Sequence, residues 1–145
     1  MSPQSNVQIV IPADQVQKRV REMARQISHD YVGKTIHALG ILENGFIFLS
    51  DLVRAIEVPV VCQFIKPKYR DDIGDVTAEF LINDLKARGA ATVKIAALLD
   101  RQSARRVQLQ PDYFGFLVDG TYLMGYGLGS REQTDRNLPH LAIAK

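Results

Sequence analysis

Few residues in this chain can carry chemistry, and their types and spacing narrow the choice. The histidines His29, His37 and His140 show no metal-ligand spacing, and each reads as a surface or core residue. Cys62 is the only cysteine, which excludes an internal disulfide and a thiol metal site. It lies in the apolar run Val60–Ile65, where it is expected to be a small buried hydrophobe. There is no nucleophile elbow and no glycine-rich dinucleotide turn, so hydrolase and redox chemistry find no support. What remains is charge and shape. Arg101 heads a basic cluster with Arg105 and Arg106, and Arg136 stands in a loop before Asn137-Leu138-Pro139. Arginine grips oxyanions bidentately, although a loop arginine is as a rule simply solvated. Glu43-Asn44-Gly45 forms a turn, and Gly74-Asp75-Val76-Thr77 leads into a helical pattern, where Asp75 and Thr77 can cap.

The elements that must position these residues are legible from periodicity. The 145 residues suffice for one α/β domain, read here as a single domain over residues 1–145. With 46% hydrophobic and 23% charged residues, the balance is that of a soluble globular chain. A net charge of +2 is too small to argue for a nucleic-acid partner. No run approaches the roughly 18 apolar residues of a membrane span. Met1–Val7 is polar and carries no basic apolar leader, so a cytoplasmic protein is expected.

Val7–Ile11 is a strand candidate stopped by Pro12. Val16, Val20, Met23, Ala24, Ile27 and Tyr31 recur on one helical face, with Gly33 as the stop. Ile36–Leu42 reads as a buried strand, Phe46–Ile56 as a helix and Val58–Ile65 as a second buried strand. Lys66–Asp72 is polar and irregular. A helix over Val76–Arg88 closes at Gly89, and Thr92–Leu99 and Tyr113–Val118 are further buried strands. Tyr122–Tyr126 and Leu141–Ala144 are edge candidates. This alternation predicts a mainly parallel sheet flanked by helices, with ligands at the carboxyl ends of the strands, after Leu42, Ile65 and Leu99.

Several segments, in order, resemble the hypoxanthine-guanine branch of the type I phosphoribosyltransferases. They are Ile11-Pro12 with the helix ending Ile27-Ser28-His29-Asp30-Tyr31, then Gly40–Phe48 with Asp51-Leu52 and Arg54–Ile56. Lys86–Gly89 through Ala97–Arg101 follows, then Pro111–Phe116, Gly125–Leu128 and Arg136–Pro139. The resemblance implies a type I phosphoribosyltransferase-like fold, with a small base-binding hood built from the chain ends. It implies transfer of phosphoribosyl from phosphoribosyl diphosphate to a hypoxanthine- or guanine-type purine base, releasing pyrophosphate with Mg2+ assisting the leaving group. It also implies a homo-oligomer, a dimer or tetramer.

Residue by residue, the resemblance assigns Arg101 to the purine's exocyclic oxygen, where the family has a lysine. It assigns the Tyr122 ring to base stacking, backbone groups of Leu123 to the base edge, and Arg136 to pyrophosphate. Glu43, Asn44 and Gly45 correspond to the pyrophosphate loop. Gly74, Asp75, Val76 and Thr77 correspond to the end of the 5′-phosphate loop, with Asp75 as the candidate catalytic residue.

Three departures from the family pattern stand out. Glu43 replaces a cation beside the expected pyrophosphate, adding repulsion unless it points away or meets magnesium. Gly129-Ser130 stands where the family carries an acidic residue. Between Tyr69 and Val76 a long loop and a strand are lacking, on the order of 30 residues by the spacing of a βαβ unit. Asp71 and Asp72 align ambiguously with the family's acidic pair. Either residues are missing from the chain as written, or the deletion is genuine and the sheet has closed up, leaving an inactive relative. The alternative function is a non-catalytic phosphoribosyltransferase-like nucleotide-binding or regulatory protein.

Overall fold

The computed structural model describes residues 6–66, 74–101 and 109–145, and for residues 74–77 the backbone alone. Expectations that fall on Tyr69–Asp72, on Arg105 and Arg106, and on continuity of the chain there lie outside the described residues. The elements run β1 (Val7–Ile11), α1 (Ala13–Asp30), β2 (Ile36–Ile41), α2 (Phe46–Ala55), β3 (Val60–Ile65), α3 (Gly74–Ala87), β4 (Ala96–Asp100), β5 (Tyr113–Leu117) and β6 (Leu141–Ala144). The chain is thus α/β, with parallel strand pairs and helices. Contacts divide it into two compact units: Met1–Lys66 with Thr121–Lys145, and Pro67–Gly120.

The first unit holds most of the core. Val16, Val20, Met23, Ala24 and Ile27 of α1 are buried, as their three- and four-residue spacing requires. Tyr31, expected on that face, instead closes the helix, its amide donating to the Ile27 carbonyl at 3.0 Å. The buried Ser28 hydroxyl donates to the Ala24 carbonyl at 2.7 Å and accepts from the Glu57 amide at 2.9 Å. It ties α1 to the chain leaving α2. The two helices pack on each other, and α2 packs on β2. Gly40 permits that contact, because a Cβ there would collide with Leu49. β2 and β3 pair in parallel from Ile36–Val60 to Ile41–Ile65, and the Leu42 amide extends the ladder to the Ile65 carbonyl at 2.9 Å. Both strands therefore deliver their following residues to one end of the sheet.

The chain ends meet in the hood. β1 and β6 pair antiparallel, with Val7 opposite Ala144, and Leu141 and Ala142 are fully buried. Tyr122–Tyr126 forms isolated bridges, Met124 to Ala142 and Gly125 to Leu128, where an edge strand was expected. In the second unit β4 and β5 pair in parallel, and Leu98 and Tyr113 are buried. β4 begins later than the expected Thr92–Leu99, at Ala96, and the Asp112 carboxylate takes the Ile95 amide at 2.8 Å just before it.

Two expectations of burial are corrected. β3 was expected to be covered, yet Cys62 is exposed and Phe64 keeps 58% of its surface in solvent. A parallel strand buries its side chains only where helices cover both faces of the sheet. Among the described residues, each parallel sheet has only two strands, β2–β3 and β4–β5. The apolar run marks capacity for burial, and among the described residues that capacity is not filled at Cys62 and Phe64.

Candidate active site

Glu43, Asn44 and Gly45 form the turn from β2 into α2, at the carboxyl end of the β2–β3 ladder. The Phe46 amide donates to the Glu43 carbonyl at 3.2 Å and the Leu49 amide to the Gly45 carbonyl at 2.9 Å, so the turn is continuous with the first turn of α2. The Leu42–Glu43 peptide is cis.

Arg136 reaches this turn from the hood. Its Nη1 donates to Asn44 Oδ1 and to the Gly127 carbonyl, each at 2.7 Å, and its Nη2 donates to Gln133 Oε1 at 2.6 Å. Only 18% of its side chain is exposed. The Gly127 amide in turn donates to the Arg136 carbonyl at 2.8 Å, so the two residues are paired twice. Gly127 has φ +90°, and a Cβ there would stand 3.0 Å from the Asn44 carbonyl oxygen, so a side chain there would be strained and crowded. The expected pyrophosphate turn and the expected pyrophosphate arginine, 92 residues apart, thus form one unit.

Glu43 neither points away nor stands alone. Its carboxylate is ion-paired with Lys66, which follows β3, and its Oε2 lies 3.7 Å from Arg136 Nη2. The Lys66 hydrogen bond and charge, with a smaller contribution from Arg136, hold the Glu43 carboxyl below the ordinary carboxylate range against a small opposing effect of desolvation. The repulsion expected of a carboxylate here is answered by these two cations.

The residues expected on the base side divide between the units. Tyr122 is 46% exposed, and its hydroxyl donates to the Gly129 carbonyl at 2.6 Å. Leu123, expected to serve a ligand through its backbone, is buried as a whole residue. Arg101 lies in the other unit, half-buried directly after β4. Gly74, Asp75, Val76 and Thr77 were expected as a loop ahead of a helix beginning at Val76. Among the described residues helix α3 runs from Gly74, so all four lie within it rather than in a loop. Their side chains lie outside the described residues.

Sequence reasoning missed a cluster behind the turn. Asp51 of α2 accepts from the Tyr126 hydroxyl at 2.5 Å and from Gln17 Nε2 at 3.1 Å. Burial, and then the hydrogen bond to Asp51 and its charge, push the Tyr126 phenol well above its ordinary range. These pairs span 34 and 75 residues, which no local pattern reveals. Among the described residues no group of three or more histidine, cysteine or acidic side chains could hold a metal ion. No helix among them is long and apolar enough to cross a membrane.

No family model matches the chain. The fold is that of the type I phosphoribosyltransferases: a crystal structure of a hypoxanthine-guanine phosphoribosyltransferase from Bacillus anthracis superimposes with a TM-score of 0.89 at 26% identity, over 97% of this chain and 98% of that one. Within that class the chain's likeness is to the hypoxanthine-guanine branch. The hypoxanthine-guanine phosphoribosyltransferase of Streptococcus pneumoniae is 29% identical over 94% of this chain and 92% of its own length. The bifunctional protein TilS/HprT of Listeria monocytogenes is 28% identical over 94% of this chain, and there the chain spans about a quarter, 26%, of the relative's length. The Streptococcus alignment covers 167 positions, whereas 94% of 145 residues is about 136, so about 31 positions of that relative have no counterpart here. That agrees in size with the shortfall expected between Tyr69 and Val76.

Proposed function

We propose that this chain is a purine phosphoribosyltransferase of the hypoxanthine-guanine type, working as a single domain over residues 1–145. The observation that carries the reading is the seat of Arg136: a largely buried guanidinium, fixed by Asn44 and Gly127, at the strand-end turn where an oxyanion leaving group would lie. In the reaction a ring nitrogen of the purine bonds to C1 of the ribose, the C1–O bond to diphosphate breaks, and the nitrogen's proton is lost. Such chemistry needs positioning and charge stabilisation more than covalent help.

In this reading Arg136 and the Glu43–Gly45 turn receive the diphosphate, and the Tyr122 ring stacks on the base. Leu123 offers backbone groups to the base edge and Arg101 donates to the exocyclic oxygen. Gly74–Thr77 offers backbone amides to the 5′-phosphate, with Asp75 as the catalytic residue. Magnesium, which the family likeness implies, belongs to the same proposal as a companion of the diphosphate. A cytoplasmic location and a homo-oligomeric state, dimer or tetramer, belong to the same proposal, and the family likeness supports them.

A coupled assay with hypoxanthine or guanine, phosphoribosyl diphosphate and Mg2+ tests the proposal. Formation of the nucleoside monophosphate and pyrophosphate is expected. Nucleotide binding without turnover would instead make the chain a non-catalytic nucleotide-binding protein, and absence of both binding and turnover would overturn the reading.

A further inference from the structure

We infer that Glu43 is an internal counter-anion that weakens and tunes diphosphate binding at this site, an inference that rests on the reading just proposed. Residues 43 and 66 come off the ends of neighbouring parallel strands, so the topology alone brings them to one sheet end. There the Glu43 carboxylate bridges Lys66 and Arg136. A single carboxylate between two cations leaves one net positive charge for a ligand that carries several negative ones.

The two cations are held differently. Arg136 is fixed by Asn44, Gly127 and Gln133 and remains in place whether or not Glu43 engages it. Lys66 is 66% exposed at its side chain, and Glu43, its partner, is 49% exposed. That half of the bridge stands in water and opens at little cost. An incoming diphosphate therefore meets a prepared arginine and a lysine that the carboxylate already holds. The anion must displace Glu43 from Lys66 or lie against it. Either way binding is weaker than two cations would give, and release of the leaving group is correspondingly easier.

Titration of inorganic pyrophosphate into the whole chain reads this directly. Glu43→Gln keeps the shape and removes the charge, and it should tighten pyrophosphate binding by about tenfold at low ionic strength, with the gain shrinking as salt is added. Glu43→Ala should act in the same direction. In the otherwise unchanged protein Lys66→Met should weaken pyrophosphate, because Glu43 then faces Arg136 and the ligand alone. Pyrophosphate binding no tighter in either Glu43 variant overturns the inference. So does Lys66→Met binding as tightly as the parent, which also serves if the Glu43 variants fail to fold. Binding of a purine nucleoside monophosphate, measured in parallel, reports on the proposed function itself. Its absence would fail that reading while the pyrophosphate series still decides the role of Glu43.

Discussion

The hydrogen atoms of Gly129 are what let Arg136 lie where it does: a Cβ at Gly129 would stand 3.0 Å from the guanidinium carbon and from Nη2. In sequence, Gly129 reads as the loss of an acidic residue. In space it is clearance for the arginine that reaches the turn after β2. Gly129→Ala should displace the guanidinium by a few tenths of an ångström against three hydrogen bonds. Pyrophosphate affinity should fall severalfold, while stability changes by less than about 1 kcal/mol, since the colliding atoms are the end of a flexible side chain. Titration alongside urea unfolding separates the two effects.

Removing the Tyr126 hydroxyl tests the support behind the turn. Tyr126→Phe takes from Asp51 its 2.5 Å donor and, among the described residues, leaves Gln17. A partly buried carboxylate deprived of a donor should cost about 1–2 kcal/mol in unfolding free energy. The same phenol gives an alkaline signature. Its pKa is raised in the folded state from the ordinary 10.0, so the unfolded chain loses the proton first as pH climbs. Stability is therefore intact below about pH 10 and falls above it. Melting temperatures through that range should decline in the parent protein and decline less in Tyr126→Phe.

What could be read in the sequence, and what could not, follows from the range of the interactions. The α1 face Val16, Val20, Met23, Ala24, Ile27 was legible because helical periodicity is a local property, and all five are buried. The turn Glu43-Asn44-Gly45 and Arg136 were legible only as separate candidates, because their meeting spans about ninety residues. The exposure of β3 was not legible at all. Val60–Ile65 has the composition of a covered strand, and composition carries no information on whether the cover exists. The Lys66 partner of Glu43 follows from strand register, a relation that appears only once β2 and β3 are paired.

That exposure has a direct chemical test. Cys62 lies on the surface of β3, so in the native protein it should react with a thiol reagent at a rate close to that of the unfolded chain. A buried cysteine would react only through unfolding, orders of magnitude more slowly. Slow labelling in native buffer, restored by denaturant, would mean that β3 is covered in solution.

Tyr122 separates ring from hydroxyl. The hydroxyl is engaged by the Gly129 carbonyl at 2.6 Å, whereas the residue as a whole is nearly half exposed. If the ring stacks on a purine, nucleoside monophosphate binding should depend on its face and hardly at all on its oxygen. Tyr122→Phe should bind within about twofold of the parent, because the lost hydrogen bond is to the protein and worth about 1 kcal/mol of stability at most. Tyr122→Ala should weaken binding by about tenfold or more, since stacking of a base on an aromatic ring contributes roughly 1–3 kcal/mol. Calorimetric titration of both variants decides it. Equal weakening by Phe and Ala would place the hydroxyl in contact with the ligand, and no weakening by Ala would remove Tyr122 from the base site.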